Sequence, residues 1–142
     1  GGLTSGIALA LEAEAPGLRA RTAEPEGFDD AARSLATGEI TRNAALGGSI
    51  CDAIVTPQPG DLTFPILNRL CGPGLVVSDA EALQAIGHAF NRLKLVAEPG
   101  GAVALAAALF RQDEIDGDDV IVTISGGNVD SDIFSRALAT LD

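Results

Sequence analysis

Gly1-Gly2-Leu3-Thr4-Ser5-Gly6 opens directly into Ile7-Ala8-Leu9-Ala10-Leu11-Glu12-Ala13, a run of helix formers. Glycines at a helix start leave several backbone N–H groups without intrahelical partners, all pointing one way. Together with the positive end of the helix dipole they favour a bound anion, most often a phosphate. The same glycines also serve as a plain tight turn, and the motif alone leaves both readings open. Three further stretches carry polar or glycine-rich residues: Glu24 to Asp30, Glu98-Pro99-Gly100-Gly101, and Ser125-Gly126-Gly127-Asn128. Each alone reads equally well as a cap or a turn. Open α/β sheets bind ligands outside the carboxyl ends of their strands. The four stretches recur at such ends, or in the loops beside them, and that recurrence points to a site.

The elements that must position them follow from periodicity and punctuation. The first helix is expected over Gly6 to Ala15, stopped by Pro16-Gly17. Leu18 to Ala23 alternates apolar and polar residues as a half-buried strand does. Asp29 or Asp30 can cap a helix over Ala31 to Thr37, which Gly38 ends. Ile50 to Val55 reads as a short strand, broken by Pro57, Pro59 and Gly60. Leu62 to Leu70 can be helical, with Pro65 early enough to be tolerated. Leu75-Val76-Val77 is a strand. Ser78 and Glu81 form a capping box for a helix running to about Lys94. Ala102 to Phe110 is a strongly apolar helix, and Val120 to Ile124 reads as the clearest buried strand. Strands alternating with helices predict an α/β fold: an open, mostly parallel sheet with flanking helices.

Composition excludes several classes. The 142 residues hold 20 acidic against 9 basic side chains, a net charge of −11. A nucleic-acid polymer needs a basic face, and none is offered. No run approaches the roughly 18 apolar residues of a membrane helix. Cys51 and Cys71 stand alone, without metal-ligand spacing, and read as reduced thiols of a cytoplasmic protein. A nucleotide-binding Rossmann domain needs a complete GxGxxG after a strand, which Gly1-Gly2-x-x-x-Gly6 does not supply. The absence of Met, and a phosphate turn with no strand before it, lead to the expectation of the C-terminal part of a longer protein, with a processed or trimmed chain as the other reading.

The motifs taken together resemble a known family. Gly1-Gly2-Leu3-x-x-Gly6-Ile7-Ala8, Ala23-Glu24-Pro25, Asp29-Asp30, Arg33-Ser34, Lys94-Leu95-x-x-x-Glu98-Pro99-x-Gly101-Ala102 and Ser125-Gly126-Gly127-Asn128-Val129 resemble the serine/threonine dehydratases. These are pyridoxal-phosphate enzymes of the tryptophan synthase β-like fold, with the serine racemases as a branch. The resemblance runs in order along essentially the whole chain. It implies that Gly1, Gly2 and Leu3 end the glycine-rich phosphate loop and that Ser125 hydrogen-bonds the pyridine nitrogen. It places Glu98 beside the cofactor ring. It implies a divalent-cation site, Mg²⁺ or Ca²⁺, made by the carboxylates of Glu24 and Asp30 and the backbone carbonyl of Phe28. Asn128 and Lys94 match positions that touch nucleotide in the racemase branch. The family's Schiff-base lysine belongs to an N-terminal half that these residues do not include, so residues 1–142 carry no catalytic residue of that kind. Ala53 stands after Asp52 where many members have Gly. The implied activity is an ammonia-lyase converting L-threonine or L-serine to a 2-oxo acid and ammonia, in a protein expected to be a homodimer. A serine racemase, a 3-hydroxyaspartate dehydratase, or a non-catalytic module binding a phosphate-bearing ligand are the alternatives.

Overall fold

The computed structural model of the protein describes residues 1–141; Asp142 lies outside them. Six α-helices flank a two-stranded parallel sheet among the described residues. The sheet pairs β1 (Ala23–Pro25) with β2 (Leu75–Val77), and its register sets Ala23 opposite Leu75, Glu24 opposite Val76 and Pro25 opposite Val77. The α/β class with parallel strands and flanking helices is as expected.

Helix α1 (Gly2–Glu14) begins four residues earlier than the periodicity suggests. It ends at Ala15, because a residue before proline is pushed out of the helical region. Helix α2 (Asp30–Thr37) closes on Gly38, whose φ of 77° is the left-handed conformation glycine adopts without penalty. Helix α3 (Phe64–Leu70) carries Pro65 in its first turn. Ala8 of α1 packs on Leu67 and Cys71 at the far end of α3, forming a small satellite core.

The main core lies around α4 (Asp79–His88) and α5 (Pro99–Phe110). Ser78 accepts from the Glu81 N–H, and the Glu81 carboxylate accepts from the Ser78 N–H, so the expected capping box is present. Helix α5 is built almost wholly of small and aliphatic residues. It buries Ala102, Val103, Ala106 and Ala107 against both strands and α4. Helix α6 (Ser131–Ala139) has no counterpart among the expected elements. Its Ala137 backbone lies so close to α4 that a Cβ on Gly87 would stand 2.7 Å from the Ala137 carbonyl oxygen. Past α4 the helix widens to a π turn over Ala89–Leu93, closed by Lys94 at φ 59°.

Three expected strands are corrected. Leu18 to Ala23 is not a strand along its length; ladder geometry is confined to Ala23–Pro25, with isolated bonds from Gly72 N–H to the Ala20 carbonyl and Leu75 N–H to the Thr22 carbonyl. The Arg19 and Arg21 side chains instead donate to the carbonyls of Cys71 (3.1 Å) and Pro73 (2.7 Å). Ile50 to Val55 forms a 3₁₀ turn over Asp52–Ile54. There the Asp79 carboxylate accepts from Ser49 Oγ and the Ile50 N–H, and Ser49 Oγ accepts from the Cys51 N–H, so local bonds outcompete a ladder. Val120 to Ile124 pairs with no strand among the described residues, and Ile121 is 86% exposed. A β-branched run makes a strand only where a neighbour supplies hydrogen-bond partners.

Candidate functional site

Gly1 and Gly2 form the start of α1. Gly1 has no room for a side chain: a Cβ would stand 2.9 Å from Thr63 Oγ1 and 3.1 Å from Leu67. Gly2 faces open space, with no atom within 4 Å of where a Cβ would be. The first intrahelical bond runs from the Ser5 N–H to the Gly1 carbonyl (3.0 Å), so the N–H groups of Gly2, Leu3 and Thr4 have no partner inside the helix. An open face beside N–H groups at the positive end of a 13-residue helix fits a phosphate in its donor set. Thr63, which fixes Gly1 and accepts through its carbonyl from Ser5 Oγ at 3.3 Å, is not singled out by the sequence. It lies in a helix start with no motif around it.

Glu98 and the Ser125–Asn128 stretch are brought together, although they lie far apart in the sequence. Glu98 is the N-cap of α5, in extended conformation. Its N–H donates to the Gly126 carbonyl (3.0 Å), and its carboxylate Oε2 accepts from the Asn128 N–H (3.0 Å). Ser125 N–H reaches the Gly101 carbonyl at 3.4 Å. The glycines make this approach possible. A Cβ on Gly101 would stand 2.5 Å from the Gly126 carbonyl oxygen, and one on Gly127 would stand 2.7 Å from the Val96 carbonyl oxygen. Ser125 itself is exposed, a neutral hydroxyl held on this glycine turn. Beside them, Gly100 packs against Ala53 and Ile54.

Glu24, Phe28 and Asp30 gather at the end of β1. Glu24 sends both carboxylate oxygens to the start of α2, accepting from the N–H groups of Ala31 (3.0 Å) and Ala32 (2.7 Å). Burial, with the negative charges of Asp30 and Asp29 nearby, pushes its carboxyl up to about 7 against those two bonds. Asp30 is buried, and its Oδ1 accepts from Asn43 Nδ2 at 2.7 Å. Its carboxyl is also raised, chiefly by desolvation. Phe28 is buried at the turn between them. Among the described residues no group of three or more His, Cys, Asp or Glu side chains is arranged to hold a metal ion; the expected set offers two carboxylates and a carbonyl. Asn43, which ties Asp30 to the Thr56 carbonyl, carries no signal in the sequence beyond that of a loop residue.

Lys94 donates to the Asn91 carbonyl at 3.1 Å and lies over the Phe90 ring, 5.7 Å from its centroid. Asn128 offers its backbone to Glu98.

Open N–H groups at a glycine helix start and a hydroxyl on a glycine turn are donor types suited to a small phosphate-bearing ligand. The family follows from comparison. Residues 1–127 match the family of pyridoxal-phosphate dependent enzymes, and the chain belongs to it. It is 38% identical over 143 residues to a serine racemase of Oryza sativa subsp. indica, covering 97% of this chain and 42% of that protein. It is 36% identical over 138 residues to an L-threo-3-hydroxyaspartate ammonia-lyase of Pseudomonas sp, covering 97% and 43%. The fold superposes on the crystal structure of a T.th. threonine deaminase with a TM-score of 0.85 at 39% identity, covering 92% of this chain and 46% of that one. The chain thus spans under half the length of these relatives. The family membership expected from the motifs is borne out.

Proposed function

We propose that the chain supplies the C-terminal part of the catalytic domain of a pyridoxal-phosphate-dependent ammonia-lyase acting on L-threonine or L-serine. The observation that carries this reading is the presence, in a chain of this family, of both an N–H set without helical partners at the α1 start and an exposed serine hydroxyl on a glycine turn.

When bound, pyridoxal phosphate supplies an electron-withdrawing ring that makes a substrate Cα proton removable. The residues here would hold and orient it. The N–H groups of Gly2 and Leu3 would receive the phosphate, with Gly1 locked behind them by Thr63. Ser125 would offer its hydroxyl as a hydrogen-bond donor to the pyridine nitrogen. A neutral hydroxyl leaves that nitrogen largely unprotonated and limits how much negative charge the ring accepts. Glu98, tied to the same turn, would stand near it. The lysine that carries the proton is not among these residues.

A racemase or hydroxyaspartate dehydratase is the second reading, favoured by relatives of both kinds at 36–38% identity. Assay of the full-length protein separates them. 2-Oxobutyrate from L-threonine supports the ammonia-lyase. D-Serine from L-serine, without comparable 2-oxo acid, supports the racemase. Oxaloacetate from 3-hydroxyaspartate alone supports the third. Binding of pyridoxal phosphate with no turnover of any of these substrates would favour the non-catalytic module.

The reading extends to a divalent cation held by Glu24, Asp30 and the Phe28 carbonyl. Its support is the chemistry of the set, two carboxylates and a carbonyl near the end of β1, oxygen ligands that suit Mg²⁺ or Ca²⁺. Thermal melts of the full-length protein should rise with Mg²⁺ or Ca²⁺, and a Glu24→Ala/Asp30→Ala double variant should lose that response. An unchanged response removes the cation from the account. Two free, buried cysteines support a cytoplasmic setting, and a homodimer is the proposed assembly, checked by sedimentation.

A further inference from the structure

Glu98 occupies the N-cap position of α5, where a short polar side chain ordinarily turns back to bond the first N–H groups of its own helix. It does not do so: no side-chain cap bond forms at this helix start. The carboxylate turns the other way, onto the stretch that follows Ser125. Oε2 accepts from the Asn128 N–H at 3.0 Å, and Oε1 lies against the Gly126 Cα, where a Cβ would overlap it. The backbone of the same residue adds a second tie, donating to the Gly126 carbonyl at 3.0 Å. Glu98 therefore holds the turn on both sides of Gly127. Ser125, one residue before this clamp, is otherwise held, among the described residues, by its own N–H, at 3.4 Å from the Gly101 carbonyl. Val120 to Ile124, which lead into it, have no ladder among the described residues.

We propose that Glu98 is a positioning residue for the Ser125 hydroxyl, bracing the Gly126–Asn128 turn through its carboxylate rather than acting on a ligand by its charge. The value of Ser125 as a cofactor contact rests on the function proposed above; the brace itself does not. The brace needs an acceptor oxygen and a bare Cα at 126, and it needs no negative charge. Gln at position 98 supplies the oxygen. Ala does not. Ala at position 126 leaves Glu98 in place but drives its flexible carboxylate off the Asn128 N–H.

Amide hydrogen exchange at Asn128 in the full-length protein, together with titration of pyridoxal phosphate followed by absorbance, tests this in Glu98→Ala, Glu98→Gln and Gly126→Ala. Loss of this hydrogen bond should speed Asn128 exchange by about tenfold. That acceleration is expected in Glu98→Ala and Gly126→Ala, with near-parental exchange in Glu98→Gln. Pyridoxal phosphate affinity should fall in the first two and be rescued in Glu98→Gln. Unchanged Asn128 exchange in Glu98→Ala overturns the brace. So does a Glu98→Gln variant that keeps Asn128 protected yet loses the cofactor as fully as Glu98→Ala, since charge would then be the operative property. Should Gly126→Ala fail to fold, the Glu98 pair still decides. If the parent binds no pyridoxal phosphate, the proposed function fails, while the exchange arm still judges the brace.

Discussion

Glu24 and Glu81 are both half-buried carboxylates at the start of a helix, and their surroundings push them in opposite directions. Glu24 is raised to about 7 by burial first, with Asp30 and Asp29 adding to it. A carboxyl raised above its unfolded value contributes stability that is complete below about pH 4.5 and lost as pH climbs through about 7. Glu81 is lowered, first by its hydrogen bonds from Arg111 at 2.7 and 2.8 Å. Its contribution is complete at neutral pH and fades as the solution becomes acidic. In cation-free buffer, Glu24→Gln should therefore flatten the fall in melting temperature between pH 5 and 7.5, and leave the acid-side loss in place. A Glu24→Gln variant with the parental slope in that window would place the burial cost elsewhere.

At the scale of elements, caps and close approaches carry the most information. Ser78→Ala removes the hydroxyl that accepts from Glu81 N–H and should cost about 1 kcal/mol in denaturant unfolding. Glu81→Ala also frees Arg111 and should cost about 2 kcal/mol. Gly101→Ala should be at least as damaging, about 3 kcal/mol, because its Cβ would meet backbone atoms of Gly126 that cannot swing aside. A Gly101→Ala protein as stable as the parent would mean that the α5 start and the Ser125 turn are not in backbone contact. The Ser78–Glu81 box, the Gly38 stop and the Pro16 break were legible in the sequence because each is a local bond or a local φ restriction. Strands were not, because a strand is a relation between segments. Leu75–Val77 was placed correctly since its partner lies in the same chain, at Ala23–Pro25. Val120 to Ile124 has the right residues without a ladder, and Ile50 to Val55 yields to Ser49 and Asp79. The candidate site was legible as separate motifs. That Glu98 reaches Asn128, or that Thr63 locks Gly1, depends on tertiary approach that no spacing encodes.

For the molecule as a whole, the proposed role is to bind and orient a cofactor, with the proton-carrying amine supplied from outside residues 1–142. Lys94 is the sole lysine in the sequence. It sits at a helix end, donating to the Asn91 carbonyl and lying over the Phe90 ring. Residues 1–142 alone should release no 2-oxobutyrate from L-threonine in the presence of pyridoxal phosphate. Release that disappears in Lys94→Ala would make Lys94 the catalytic amine after all. On the proposed function, the α1 start and the Ser125 turn hold opposite ends of one cofactor. A crystal structure of the full-length protein with pyridoxal phosphate tests this. The phosphate is expected about 3 Å from the N–H groups of Gly2 and Leu3, with the pyridine nitrogen at a similar distance from Ser125 Oγ. A phosphate seated away from α1, or a pyridine nitrogen facing a residue other than Ser125, would contradict it.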